Sequence, residues 1–401
     1  MIKRTLWIRP TSKNVRSGSV APSYIPVRRN GVKFIFRKKR SWYILLAIVV
    51  SVAIVVLWRE RFVMEKVSPT VAFVKEHMTN PNGTLATYLQ EAASERADIV
   101  AGREALSESL GLWMQYALAS DNEDMFEQAY KQLQTYYVIR PDIYIAWKLD
   151  PQGKSHVATN ALGDDLRIMG ALLQAADRWN QGRADKLATA SALSRTLTQR
   201  TEQQGYLVDF YDFKSGHSTD TLSLVYVDLL ALEAMRDHQM LDPEVYSRYE
   251  DILHKMPDDG LFYPKSMNVN TKAYTYDEKV NLIDQLIVAN HVMEMGHKPD
   301  KLIAFLKKEF GTRGKLPGQY DRRTQKPAVD YESAAVYGLS ILLAVRSGDP
   351  NWAKQLYQHM ITLRGQDTRY PGGYVFDGNT HLFDNLFPLL GETYLYNFLK
   401  K

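Results

Sequence analysis

Apolar residues recur at intervals of three and four through most of residues 67–401, the spacing that lines one face of an α-helix, while alternating strand-like runs are few and short. The pattern predicts twelve helices, over 68–78, 106–120, 122–138, 163–181, 183–202, 219–238, 243–256, 278–296, 298–310, 331–347, 351–364 and 383–399. After the first, they fall in close pairs separated by longer irregular stretches, as helical hairpins do. Twelve helices in alternating inward and outward order suit an all-α, (α/α)6 toroid, whose parallel inner helices bring their N-termini to one rim. A HEAT-type solenoid would need a repeated consensus of about 40 residues, which the chain lacks.

One stretch has no polar face. Trp42 to Trp58 carries no charge and a single small polar residue, Ser51. Its 17 residues would span roughly 26 Å as a helix, enough for a bilayer core with the indoles at the interfaces. Residues 1–40 hold twelve Lys or Arg and no Asp or Glu, which predicts an N-terminus kept inside the cell. The expected organisation is a basic cytoplasmic tail (1–40), a transmembrane helix (41–58), a linker (59–66) and an extracellular globular domain (67–401). The cell membrane is then the expected location and the lipid bilayer a partner.

Charge changes the picture of the rest. The chain has 50 basic and 45 acidic side chains; less the twelve of the tail, 38 basic groups face 45 acidic ones, so the globular part is net negative and nucleic acid is not an expected partner. The absence of cysteine excludes disulfides, thiolate metal sites and a Cys nucleophile. Neither a cofactor nor a metal is expected, since no His-x3-His pair or carboxylate spacing of a binding loop appears.

The long connections, before the helices at 106, 163, 219, 278, 331 and 383, each contain acidic, aromatic and Gly residues. On one rim of a toroid they would converge, and loops of such length usually carry function. Aromatic faces stack on sugar rings and carboxylates bond hydroxyls, so a carbohydrate cleft is expected, with Trp113 and Trp147 facing the sugar. Glycoside hydrolysis needs one protonated and one ionised carboxyl.

The run Ser107-Glu108-Ser109-Leu110-Gly111-Leu112-Trp113 resembles the inner-helix motif of glycoside hydrolase family 8, in which the Glu after Ser is the general acid. The resemblance continues through Ala146-Trp147-Lys148 and Asp165-Leu166-Arg167-Ile168-Met169-Gly170-Ala171 to Trp179, the family's signature helix, and through Tyr274-Thr275-Tyr276-Asp277 and Asp330-Tyr331-Glu332-Ser333. It implies Glu108 as general acid and Asp277 as general base, with Asp284, on the same helical face seven residues on, the second choice. It further implies substrate contacts from Asp165, Asp164, Trp113, Trp147, Tyr276 and Tyr331. Two positions depart from the family: the aspartate that contacts the sugar at the cleavage point falls on Gly163, with Asp164 beside it, and an expected Arg is Val280.

The resemblance thus implies an endo-acting, inverting hydrolase of a β-linked exopolysaccharide, with the polysaccharide synthesis machinery as a partner. Two other classes compete. A non-catalytic glycan-binding or assembly factor is favoured by Gly163, and a polysaccharide lyase would use a Tyr/His pair such as those around His217 or His381.

Overall fold

Ser68, Asn122, Asp242 and Asp349 each accept a backbone N–H from a first helical turn, at 3.3 Å from Thr70, 3.0 Å from Met125, 2.8 Å from Glu244 and 3.0 Å from Trp352. Pro follows three of them at the start of the helix, where its missing N–H is not needed. These caps begin four of the twelve α-helices among the residues that the computed structural model describes, which are 67–94, 96, 98–257 and 260–401. The helices are α1 (Pro69–His77), α2 (Ser107–Ala119), α3 (Glu123–Gln132), α4 (Leu162–Arg178), α5 (Arg183–Thr196), α6 (Leu229–Asp237), α7 (Pro243–Lys255), α8 (Leu282–Glu294), α9 (Asp300–Arg313), α10 (Ala334–Arg346), α11 (Pro350–Leu363) and α12 (Phe383–Lys400).

Burial separates two layers. In α3 only Met125, Phe126 and Ala129 are buried, the single stripe of an outer helix, whereas α10 is buried from Ala334 to Ala344 without a break. The even-numbered helices form the inner ring: α2 packs on α4, α4 on α6, α6 on α8, α8 on α10, α10 on α12, and α12 returns to α2. The ring closes, as the all-α toroid reading requires.

The closest crossing lies between α10 and α12. A Cβ on Gly338 would fall on the backbone of Phe387, and one on Gly391 would lie 2.6 Å from the Gly338 carbonyl oxygen. Two bare positions therefore let the helices approach to backbone contact.

The predicted helices 219–238 and 278–296 both begin late. Thr221–Ser223 pairs antiparallel with Ser266–Asn268, which pairs in turn with Tyr274–Thr275, and Lys279–Asn281 pairs with Gln319–Asp321. Ladder bonds between rim loops take the backbone groups that a longer helix would have used. The predicted ends at 138 and 202 are reached through single π-helical turns, Leu133–Tyr137 and Leu197–Thr201. A further pairing, Ala105–Leu106 with Lys148–Leu149, launches α2. The rim loops are thus stitched together just where the inner helices start.

Among the described residues no helix is long and apolar enough to cross a membrane. The expected tail 1–40, span 41–58 and linker 59–66 lie outside the described residues.

Gly338→Ala is expected to destabilise the protein by about 2 kcal/mol or more, because its methyl group meets backbone that cannot rotate away. Gly311→Ala, in α9 with nothing near its missing Cβ, should instead stabilise by up to about 1 kcal/mol. Urea unfolding of the two variants checks both signs.

Candidate active site

α2 starts straight from a strand, and its N-cap residue, Leu106, has no polar side chain to offer. The neighbouring helix supplies the cap. Asp164, in the first turn of α4 and 5% exposed, accepts the Ser107 hydroxyl at 2.5 Å through Oδ2 and the backbone N–H of Glu108. Arg167, one turn further along α4, places Nη1 3.8 Å from Asp164 Oδ1 and 3.7 Å from Glu108 Oε1. Its stem runs over Gly111, where a Cβ would lie 3.1 Å from Arg167 Cδ and 3.2 Å from Cγ. Glu108, Asp164 and Arg167 form one unit built by two helices.

Burial pushes the Glu108 carboxyl up to about 8; the charge of Asp164 adds to the rise, Arg167 opposes it, and Asp284 adds a little more. Asp164 itself is raised by burial against the pull of Arg167, Ser107 and the Glu108 N–H. Asp284 stands in the first turn of α8. Burial raises it to about 6, with Lys265 opposing and Asp277 adding. Three first-turn carboxyls are therefore raised toward neutrality, Glu108 to about 8 and Asp164 and Asp284 each to about 6, and of the latter two Asp164 is already engaged as the cap of α2. Asp277 lies outside the helix, 36% exposed, in an ion pair with Lys265 at 3.0 Å.

Several expected contacts are placed differently. Asp165 is 2% exposed and takes the Asn160 amide at 2.6 Å, whose oxygen in turn accepts the Tyr211 N–H at 2.8 Å. It fastens rim loops rather than lining a cleft. Trp113 is 8% exposed and stacks on Tyr116 with ring centroids 5.5 Å apart. Five positions after Glu108, it is turned roughly 140° around the helix, away from the carboxyl. Trp147 keeps an intermediate exposure, and its carbonyl accepts the Ser107 N–H at 3.0 Å. Tyr276 lies beneath the Arg322 guanidinium, 3.8 Å from its ring centroid. Tyr331 is 56% exposed on the rim.

Two residues escaped the sequence reading. Tyr226 fills the space above Gly163: a Cβ there would fall inside the tyrosine ring. Burial pushes its phenol up, and the charges of Asp164 and Glu108 add to that. Its only sequence signal was the missing side chain at 163. Arg167 carried a clearer one, the i, i+3 spacing to Asp164. Of the histidines, His217 is exposed, whereas His381 meets the Tyr88 ring edge-on at 5.0 Å and accepts the Phe383 N–H at 3.1 Å. Burial pushes it down to about 4. Asp228, His291 and Glu294 bring possible metal-ligand atoms within 4.8 Å of one another, but the Arg346 guanidinium already lies 2.8 Å from Glu294.

No protein-family model matches the chain. Among curated proteins it is 36% identical over 332 residues to "Putative lipoprotein YdaJ" of Bacillus subtilis, which covers 82% of this chain and 87% of that protein. Among solved structures it superposes on a novel alpha-amylase from Clostridium perfringens with a TM-score of 0.72 at 23% identity, covering 82% of this chain and 98% of that one. PssZ from Listeria monocytogenes follows at 0.65 and 25%, covering 80% and 94%. Endoglucanase Cel10, a family 8 glycosyl hydrolase from Klebsiella pneumoniae, follows at 0.54 and 14%, covering 82% and 98%.

The expected single-pass transmembrane location is corrected by the curated relative. Its name is that of a lipoprotein, a protein held by a lipid rather than by a spanning helix. The identity and coverage of that match place this chain in the family of YdaJ, and it shares its fold with family 8 glycosyl hydrolases.

Proposed function

We propose that the protein is an inverting glycoside hydrolase that cuts within a polysaccharide, with Glu108 as general acid and Asp284 as general base. The observation that carries this reading is the pair of partly buried carboxyls in the first turns of α2 and α8, one raised to about 8 and the other to about 6. At neutral pH the first holds a proton and the second does not, which is the division of labour that acid/base hydrolysis needs. The Glu108 proton passes to the glycosidic oxygen as the bond to the anomeric carbon breaks. Asp284 takes a proton from the water that attacks that carbon from the opposite face.

The base role moves from Asp277 to Asp284 because Asp277 is engaged by Lys265 and its charge acts on Asp284. An exopolysaccharide remains the proposed substrate class. Since one structural neighbour is an alpha-amylase, α-linked and β-linked glycans both belong in the assay. A glycan-binding role without catalysis is the second reading, supported by the loss of the carboxylate at Gly163; it expects binding and no new reducing ends. A lyase would instead give an unsaturated product with ultraviolet absorbance.

Activity should rise with pH as Asp284 ionises near 6 and fall as Glu108 ionises near 8. Glu108→Gln and Asp284→Asn should each lower kcat by about a hundredfold or more. Asp277→Asn should lower it by about tenfold or less and move the acidic limb to lower pH, because a charge that raises Asp284 is gone. Equal losses in Asp277→Asn and Asp284→Asn would return the base to Asp277, and full activity in Glu108→Gln would end the enzyme reading.

The same shift has a consequence for stability. A carboxyl raised from 4.5 to about 8 on folding favours the native state at low pH, and this contribution is lost as pH rises through the folded value. Glu108→Gln should therefore be more stable than wild type at pH above about 8, by roughly 2–4 kcal/mol, with the gap closing below about pH 5. Urea titrations across that range measure it.

A further inference from the structure

Arg167 stands between the two carboxyls of the acid site and bonds to neither. At 3.7 Å from Glu108 and 3.8 Å from Asp164, its Nη1 is beyond hydrogen-bond reach of both. That nitrogen is buried with no hydrogen-bond partner among the described residues. An unpaired buried donor is costly, and an exception of this kind calls for a reason.

Charge balance supplies one. Asp164 already receives the Ser107 hydroxyl and the Glu108 N–H, so with Glu108 protonated the unit holds one anion and one cation. Loss of the Glu108 proton would leave two buried anions facing a single guanidinium. The ionisable groups acting on Glu108 from the elements around it are Asp164 and Arg167 on α4 and Asp284 on α8, and the Tyr226 phenol in the turn before α6 feels its charge. Arg167 is the cation in that set, and less than 1 Å of travel brings Nη1 within bonding distance of Oε1.

On the reading of Glu108 as general acid, we propose that Arg167 is the positioning residue for the proton donor, neutralising Asp164 while Glu108 is protonated and closing onto Glu108 as the proton leaves. The Glu108 O–H bond breaks, its electron pair stays on the carboxylate, and the proton joins the glycosidic oxygen. Arg167 then bonds the new carboxylate until solvent returns a proton. Gly111 provides the channel for the guanidinium stem, so this carboxyl and this arginine are matched across two helices.

The test reads Glu108 directly. In full-length protein labelled with ¹³C at the glutamate carboxyl, the Glu108 resonance is identified by its loss in Glu108→Gln and followed against pH. Arg167→Met should raise its titration midpoint by about one unit or more, and Arg167→Lys, which keeps the charge on a differently shaped head, by less. A structural role alone would leave the midpoint in place. An unchanged midpoint in Arg167→Met overturns the proposal; if that variant fails to fold, an unchanged midpoint in the uncharged Arg167→Gln does so equally. The enzyme reading stands or falls separately, on whether Glu108→Gln still releases reducing ends.

Discussion

The carboxylate of Asp164 caps a helix that is not its own, and the site depends on that cap. Helix α2 has orphan N–H groups and a leucine at its N-cap, so its start is held by an acceptor from α4. The bonds to Ser107 and Glu108 set the spacing of the two inner helices at the rim. The same device recurs across the ring, where Asp384 of α12 accepts the Ser333 hydroxyl at 2.5 Å and the Ala335 N–H at 3.1 Å at the start of α10. Buried carboxylates of this kind persist because each is satisfied by several donors. At Asp164 the cap also supplies the charge that helps to keep Glu108 protonated.

A parallel ring brings the positive ends of its inner helices to one rim, where carboxyls gather in first turns: Glu108, Asp164, Asp165, Asp284 and Asp384. A helix dipole favours the ionised form by about 0.3–1 kcal/mol, which is less than one pKa unit. Burial at Glu108 works the other way and reaches from 4.5 to about 8. Desolvation wins by magnitude, so a position that would by itself make a stronger acid holds its proton near neutrality.

The departure at Gly163 is not a gap in the structure. The Tyr226 ring occupies the space that a side chain there would need, and the carboxylate one residue along, at Asp164, has turned inward to the α2 cap. At this position of the chain a tyrosine from a different element fills the space in place of a side chain on 163. Apart from the glycine at 163 no pattern announces this, since Tyr226 reads as one more apolar residue of a helical run, whereas it sits in a short turn that follows the pairing of Thr221–Ser223 with Ser266–Asn268.

Helical periodicity and the paired spacing of the segments determined the toroid from the sequence, because those signals act within a few residues of each other. The Ser107-Glu108 motif likewise marked locally the carboxyl proposed as the acid. The tertiary structure decided what depends on facing partners: that Trp113 turns into the core, that Asp165 binds a loop, that Asp284 rather than Asp277 acts on Glu108, and that Arg167 lies between two carboxyls. Glu108 meets Arg167 59 positions along the chain and feels Asp284 176 positions along, and a pattern confined to one stretch of chain carries no record of what packs against it.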